Sequence, residues 1–151
     1  MKQQDIRKIF SHAVYEVFEK MYYVFLELRK KQAPLLRERM LSITFTGPAS
    51  GEIVVYFSES VAEQMIKNSL NLDRAEATEQ LRQDCLKECL NMICGDFMQG
   101  FNPDRLFQMS LPVYHETFSM ADADNRTKDE VGLAFDADGG GYFEVILRMA
   151  G

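Results

Sequence analysis

Asp84, Glu88, Asn91 and Gly95 follow one another at spacings of four, three and four within the run DRAEATEQLRQDCLKECLNMICGDFM, residues 73 to 98. On a helix, at 100° per residue, they form one stripe, and Leu86, Leu90, Ile93 and Phe97 form another nearly opposite it. The apolar stripe is a core face and the polar one a narrow ridge aimed at solvent. Carboxylates can pair with a partner's cations, a carboxamide both donates and accepts hydrogen bonds, and a glycine leaves the backbone bare. Helix surfaces are usually filled with long Lys and Glu side chains, so Asp, Asn and Gly, all weaker helix formers, suggest a surface on which something docks. The plainer alternative is a solvated face, with Asn91 bonded to nearby backbone and Glu88 paired with Lys87 or Arg82. Taken alone, the spacing favours that alternative.

The elements that would hold this ridge can be traced along the chain. Residues 4 to 30 show a long helical pattern in which Ile6, Phe10, Val14, Val17, Phe18, Met21, Phe25 and Leu28 repeat at three and four, with Arg29 to Lys31 suiting its C-terminal dipole end. From Leu41 to Phe57 the period becomes two, and LSITFTG and GEIVVYFS around Gly47 to Gly51 make a hairpin. Ser60 with Glu63 is expected to cap a short helix reaching about Leu70, and Asp73 with Glu76 to cap the central helix. After a break at Gly100 to Pro103, LFQMSLPVYH reads as a short strand, and Pro112 assigns it to an edge or a strand end. The acidic segment MADADNRTKDE lacks the Gly and Glu that a calcium loop requires, and reads as a solvated loop. EVGLAFDA and YFEVILRM around Asp138 to Gly141 form a second hairpin. The expected fold is α+β, with long helices packed on a mostly antiparallel sheet in two pseudo-symmetric helix-plus-hairpin halves, and residues 1 to 151 as one domain.

Composition narrows the functional classes. The chain has 151 residues, an apolar fraction of 46% and a net charge of -6, which fit a globular protein and argue against nucleic-acid binding. Short basic clusters such as Arg37 to Arg39 read as solvated helix ends. No run of eighteen apolar residues occurs, so no membrane-spanning helix is expected. The three cysteines, Cys85, Cys89 and Cys94, lie on one helix, and their odd number suggests buried, inert thiols in a cytoplasmic protein. The two His, His12 and His115, sit in other segments and supply no zinc site. Gly139 to Gly141 joins two strands and is a turn, not a phosphate loop.

The run Asp84-x-x-x-Glu88-x-x-Asn91, continued by Met92-Ile93-Cys94-Gly95 and later by Met109-Ser110-Leu111-Pro112, resembles the CheC, CheX and FliY phosphatases of bacterial chemotaxis, nearest to the CheX-type domain. TFTGPASGEIVVYFS is similar to that family's first hairpin, so the resemblance extends over nearly the whole chain. It implies hydrolysis of the aspartyl phosphate on a CheY-type response regulator. An acyl phosphate is already activated, and its hydrolysis asks mainly for a positioned water and for charge neutralisation. The resemblance makes Asn91 and Glu88 the candidate catalytic pair, with Asn91 positioning water and Glu88 pairing with a Lys of the regulator. Asp84 and Gly95 become partner-binding positions.

The same resemblance implies no cofactor of the chain's own, Mg2+ on the regulator's acidic pocket, and a homodimer, while charge and hydropathy argue against nucleic-acid and membrane partners. Some relatives carry a second site on the first helix. Here that run is His12-x-x-x-Glu16-x-x-Glu19, and a Glu in place of the Asn would repel a phosphoryl group, so one site per chain is expected. Pro112 stands slightly closer to Asn91 than in the family pattern. The competing reading is a non-catalytic adaptor that binds a regulator or flagellar-switch component through the same helix.

Overall fold

A computed structural model describes residues 3–29, 37–72, 76–119 and 130–150. Helix α1, Gln3–Tyr22, is shorter than its spacing suggests. Phe10, Ala13, Val14, Val17 and Phe18 keep the helical period and are buried. From Tyr22 onward burial alternates, with Tyr22, Val24 and Leu26 inside and Tyr23 and Phe25 outside. That period belongs to a strand, and Leu26–Leu28 forms β1. The switch is made at Tyr23, whose φ of 53° lies in the left-handed region that closes helix C-termini, while the Val24 N–H donates to the Phe18 carbonyl at 3.0 Å. Met21 and Phe25, expected in the core, are therefore about half exposed. Arg29 lies beside the Asp136 carboxylate of a neighbouring strand instead of ending a helix, and Lys30 and Lys31 fall outside the described residues.

The sheet is built from β1, β2 (Arg39–Thr46), β3 (Ser50–Phe57), β4 (Gln108–Met109), β5 (Val113–His115), β6 (Glu130–Ala137) and β7 (Tyr142–Ala150). Its order is β1-β6-β7-β3-β2, with β4 and β5 both against the outer side of β2, and every described pairing is antiparallel. Both expected hairpins are present, and β3 and β7 join them along the centre. The strand after α1 pairs with the second hairpin, while the strands after the long central helix pair with the first. The two helix-plus-hairpin halves thus exchange their edges. Pro112 separates β4 from β5 at the sheet edge, where a missing N–H interrupts no central ladder. The acidic segment read as a loop lies almost wholly outside the described residues.

One face of the sheet meets the helices through Leu41, Ile43, Phe45, Ile53, Val55, Phe57, Phe143, Val145 and Leu147. The other face is buried too, with Val54, Tyr56 and Ile146 in a smaller cluster. Glu144 lies on this second face with no exposed surface, accepting two hydrogen bonds from Arg37 at 2.6 and 2.8 Å and one from the Tyr142 hydroxyl at 2.9 Å. Arg37 also stacks on Tyr56. Arg37 is therefore not a solvated helix end, because a carboxylate without water needs a bidentate cation.

Helix α2, Glu59–Leu70, begins at Ser58 rather than Ser60. The Ser58 hydroxyl accepts from the Val61 N–H at 3.3 Å and from the Tyr142 N–H at 2.8 Å, so strand β3 turns into the helix with no spacer. Glu63, freed from the expected cap, receives a hydrogen bond from Arg82. Helix α3, Glu79–Phe101, starts at Thr78, whose hydroxyl accepts from the Leu81 N–H at 3.1 Å. The expected Asp73 cap lies outside the described residues and five positions before that start. The helix also runs past Met98 through Gly100, where an added Cβ would come within 2.9 Å of Ile9 on α1.

Arg39, the other misread basic residue, ties these starts together. Its guanidinium bonds Glu59 of α2 at 2.7 Å, Glu79 of α3 at 2.7 and 2.8 Å, and the Tyr114 hydroxyl at 3.1 Å. The hydrogen bonds from Arg39 hold Glu79 below the usual carboxyl range. A carboxyl whose folded value is depressed stabilises the fold fully above its unfolded value and loses that contribution as pH falls through the folded one. Both carboxylates remain partly in water, which limits the effect. Arg39→Leu is expected to cost about 2 kcal/mol at neutral pH. Urea denaturation of both proteins should show that gap narrowing below about pH 4, and a gap independent of pH would contradict the assignment.

Candidate functional site

On α3, Leu86, Leu90, Ile93 and Phe97 are all fully buried, as the apolar stripe requires, and each contributes about 1.5–3 kcal/mol of burial. Phe97 packs edge-on against Phe10 of α1, with ring centres 5.2 Å apart, and contacts Phe45 of β2 and Phe101. These contacts fix the rotation of α3 about its axis, and the opposite stripe follows from it. Asp84 and Glu88 are exposed, while Asn91 and Gly95 are partly exposed. All four predicted site residues therefore lie along one outward face.

The bonding around the ridge bears on the solvated-face alternative. Gln80 donates to the Asp84 carboxylate at 2.9 Å. Arg82, one suggested partner of Glu88, instead donates to Glu63 of α2 and to the Ala77 carbonyl, each at 2.7 Å. Among the described residues no hydrogen bond or ion pair engages the Asn91 carboxamide or the Glu88 carboxylate. A Cβ added at Gly95 would meet no atom within 4 Å, so bare backbone faces open space there. An unengaged carboxamide can both accept from a water and donate to an oxyanion.

A feature missed in the sequence lies along one flank of the ridge. Met21 and Tyr22 of α1, Leu70 of α2, and Leu81, Cys85 and Met92 of α3 line a mainly apolar groove of about 370 Å³, with Asp84 and Glu88 also in its wall. Its walls come from three helices separated in sequence. The one signal available was the 81, 85, 88, 92 spacing on α3, which alone does not distinguish a groove from a core edge. Cys85, on this groove, has its thiol raised by burial, as do Cys89 and Cys94, the last pushed up to about 12. The three thiols are free, protonated at neutral pH, and poor nucleophiles.

On α1 the counterpart ridge is differently arranged. Glu16 contacts Lys20 at 2.6 Å and His12 at 3.5 Å. The hydrogen bond from Lys20 lowers its carboxyl below the ordinary value. Asp96 of α3 lies close enough that, after burial, Glu16 helps raise its carboxyl. On this stripe Glu16 is held by Lys20 and His12, and the exposed Glu19 stands where α3 has its carboxamide. Among the described residues no group of three His, Cys, Asp or Glu side chains could hold a metal ion, and no helix is long and apolar enough to cross a membrane.

Residues 40–136 match the family model described as Chemotaxis phosphatase CheX. No functionally curated protein matches the sequence. The fold is similar to that of the chemotaxis protein CheX from Vibrio vulnificus, at 19% identity over 96% of both chains with a TM-score of 0.73. It is similar as well to CheX from Desulfovibrio desulfuricans, at 22% identity over 96% of this chain and 99% of that one, with a TM-score of 0.72. The CheX chain of a CheX-CheY-BeF3-Mg complex from Borrelia burgdorferi superposes with a TM-score of 0.68, at 14% identity over 95% and 97% of the two chains. With its family model spanning well over half of its length, including both the first hairpin and the whole of α3, this chain belongs to the CheX family of chemotaxis phosphatases.

Proposed function

We propose that the protein hydrolyses the aspartyl phosphate of a CheY-type receiver domain, with Asn91 as the residue that orients the attacking water. The observation that carries this reading is the state of the Asn91 side chain: partly exposed, unengaged among the described residues, and flanked by an exposed carboxylate and a bare glycine on a helix whose rotation the core fixes. The Asn91 Oδ1 accepts a hydrogen bond from the water and holds it in line with the phosphorus. Water oxygen bonds to phosphorus, the bond from phosphorus to the Asp carboxylate oxygen breaks, and the products are inorganic phosphate and the free carboxylate, with the water's proton passing to phosphate or solvent. A carboxamide does this without bringing a negative charge to an anionic phosphoryl group. Mg2+ held by the receiver's own acidic pocket would supply charge neutralisation.

Glu88 stands one turn before Asn91, about 4.5 Å along the axis. Its charge would repel a phosphoryl group at close range, so its role is to pair with a Lys of the receiver and fix the register of docking. Asp84 extends that acidic surface, and Gly95 lets the receiver's backbone approach. On α1 the position matching Asn91 is Glu19, and the neighbouring Glu16 carboxylate is held by Lys20, which supports one site per chain.

The test is release of labelled phosphate from a panel of phosphorylated CheY-type receivers. Asn91→Ala is expected to lower turnover by about a hundredfold; equal rates for both proteins, or none with either, would favour an adaptor. Glu88→Gln should weaken receiver affinity about tenfold at low ionic strength, and the difference should shrink as salt screens the pair. Lost turnover at unchanged affinity would assign Glu88 a different role. Gly95→Ala should raise stability by about 0.5–1 kcal/mol in a thermal melt, because the helix gains an Ala with no clash, whereas Gly95→Gln should retain stability but slow dephosphorylation.

A further inference from the structure

The apolar groove beside the ridge has no part in positioning water, yet three large apolar side chains on its rim are substantially exposed: Met21 at 50%, Leu70 at 43% and Leu81 at 38%. Grouped exposed apolar surface next to a functional ridge marks a contact surface. Asp84 and Glu88 stand in its wall. An occupant must therefore present an apolar side chain with a basic group next to it. A second copy of this chain fits poorly, since it carries a net charge of -6 and would bring its own acidic ridge against this one. An anionic lipid surface is disfavoured for the same reason.

We propose that this groove receives an apolar side chain of the phosphorylated receiver, adjacent in that domain to the basic residue that pairs with Glu88, and that Leu70 and Leu81 thereby select which regulator is served. The proposal rests on the phosphatase reading above and adds the determinant of partner choice. Dimensions agree with it. From Leu81 to Asn91 the helix rises about 15 Å, so groove and carboxamide fit within a single patch of the usual 800 Å² or so per partner. Charge sets register and approach, while burial of the apolar anchor discriminates between receivers that all share the same phosphorylation chemistry.

The test measures affinity for CheY-type receivers loaded with beryllofluoride and Mg2+, using wild type, the Leu70→Gln/Leu81→Gln double variant, each single variant, and Leu106→Gln as a control. Leu106 is 95% exposed and lies outside the groove. Gln at position 81 completes a capping box with Thr78, and Gln is a good helix former at the end of α2, so the fold should persist and thermal melts will check it. The double variant is expected to raise Kd about tenfold, each single variant about threefold, at low and high salt alike. Leu106→Gln should change it less than twofold. Salt independence separates this effect from that of Glu88→Gln. If wild type binds and the groove variants bind equally well, the groove assignment is wrong and the phosphatase reading stands. If no loaded receiver binds wild type, both readings fall.

Discussion

The rotation of α3 about its axis is the constraint on which the site depends. A helical residue subtends 100°, so a slip of one position along the core would carry Asn91 toward the sheet and present Leu90 or Met92 in its place. Four fully buried side chains oppose that slip, and Phe97 does most to set the orientation because its ring is held against α1, β2 and the end of its own helix. Close packing makes such a setting discrete rather than adjustable. The polar ridge can therefore consist of weak helix formers, since its position is determined from behind.

Arginines complete that positioning where packing alone would leave freedom. Arg39 joins the first turns of α2 and α3 to strand β2, and Arg82 joins α2 to α3 through Glu63. Arg37 neutralises Glu144 on the far side of the sheet. In each case a planar guanidinium reaches two or more acceptors, which a lysine ammonium cannot match in geometry. With Arg82 occupied in this way, the exposed Glu88 carboxylate has no ion pair among the described residues. The structural ion pairs and the candidate docking charge are thus complementary consequences of one arrangement.

The two-half organisation divides the helices between roles. Both long helices pack against the same face of the sheet and against each other, but where α3 presents Asn91 the matching position of α1 is Glu19. The equivalent surface of α1 holds Glu16 between His12 and Lys20. Exchange of edge strands between the halves links the two helices to opposite hairpins, so neither half can move without disturbing the other's sheet edge. A rigid platform suits the proposed chemistry, in which one water is held in line.

Periodicity alone established the two hairpins, the three helices and the ridge of Asp84, Glu88, Asn91 and Gly95, because alternation and 100° spacing are local properties that survive whatever the rest of the chain does. The α+β class followed from their order, and the resemblance to chemotaxis phosphatases from the motif on α3. Where two periods overlap the reading failed: MYYVFLEL satisfies a helix as well as a strand, and only the place waiting beside β6 made Leu26–Leu28 extended. Caps were misplaced for a similar reason, since Ser58 and Ser60 are equally good acceptors until the N–H of Tyr142, 84 residues away, bonds to one of them. Arg37 and Arg39 looked like surface charge because their carboxylates come from distant elements. The groove was invisible to the sequence because its walls converge from α1, α2 and α3, and a concave surface shared by three helices exists only once long-range packing has brought them together.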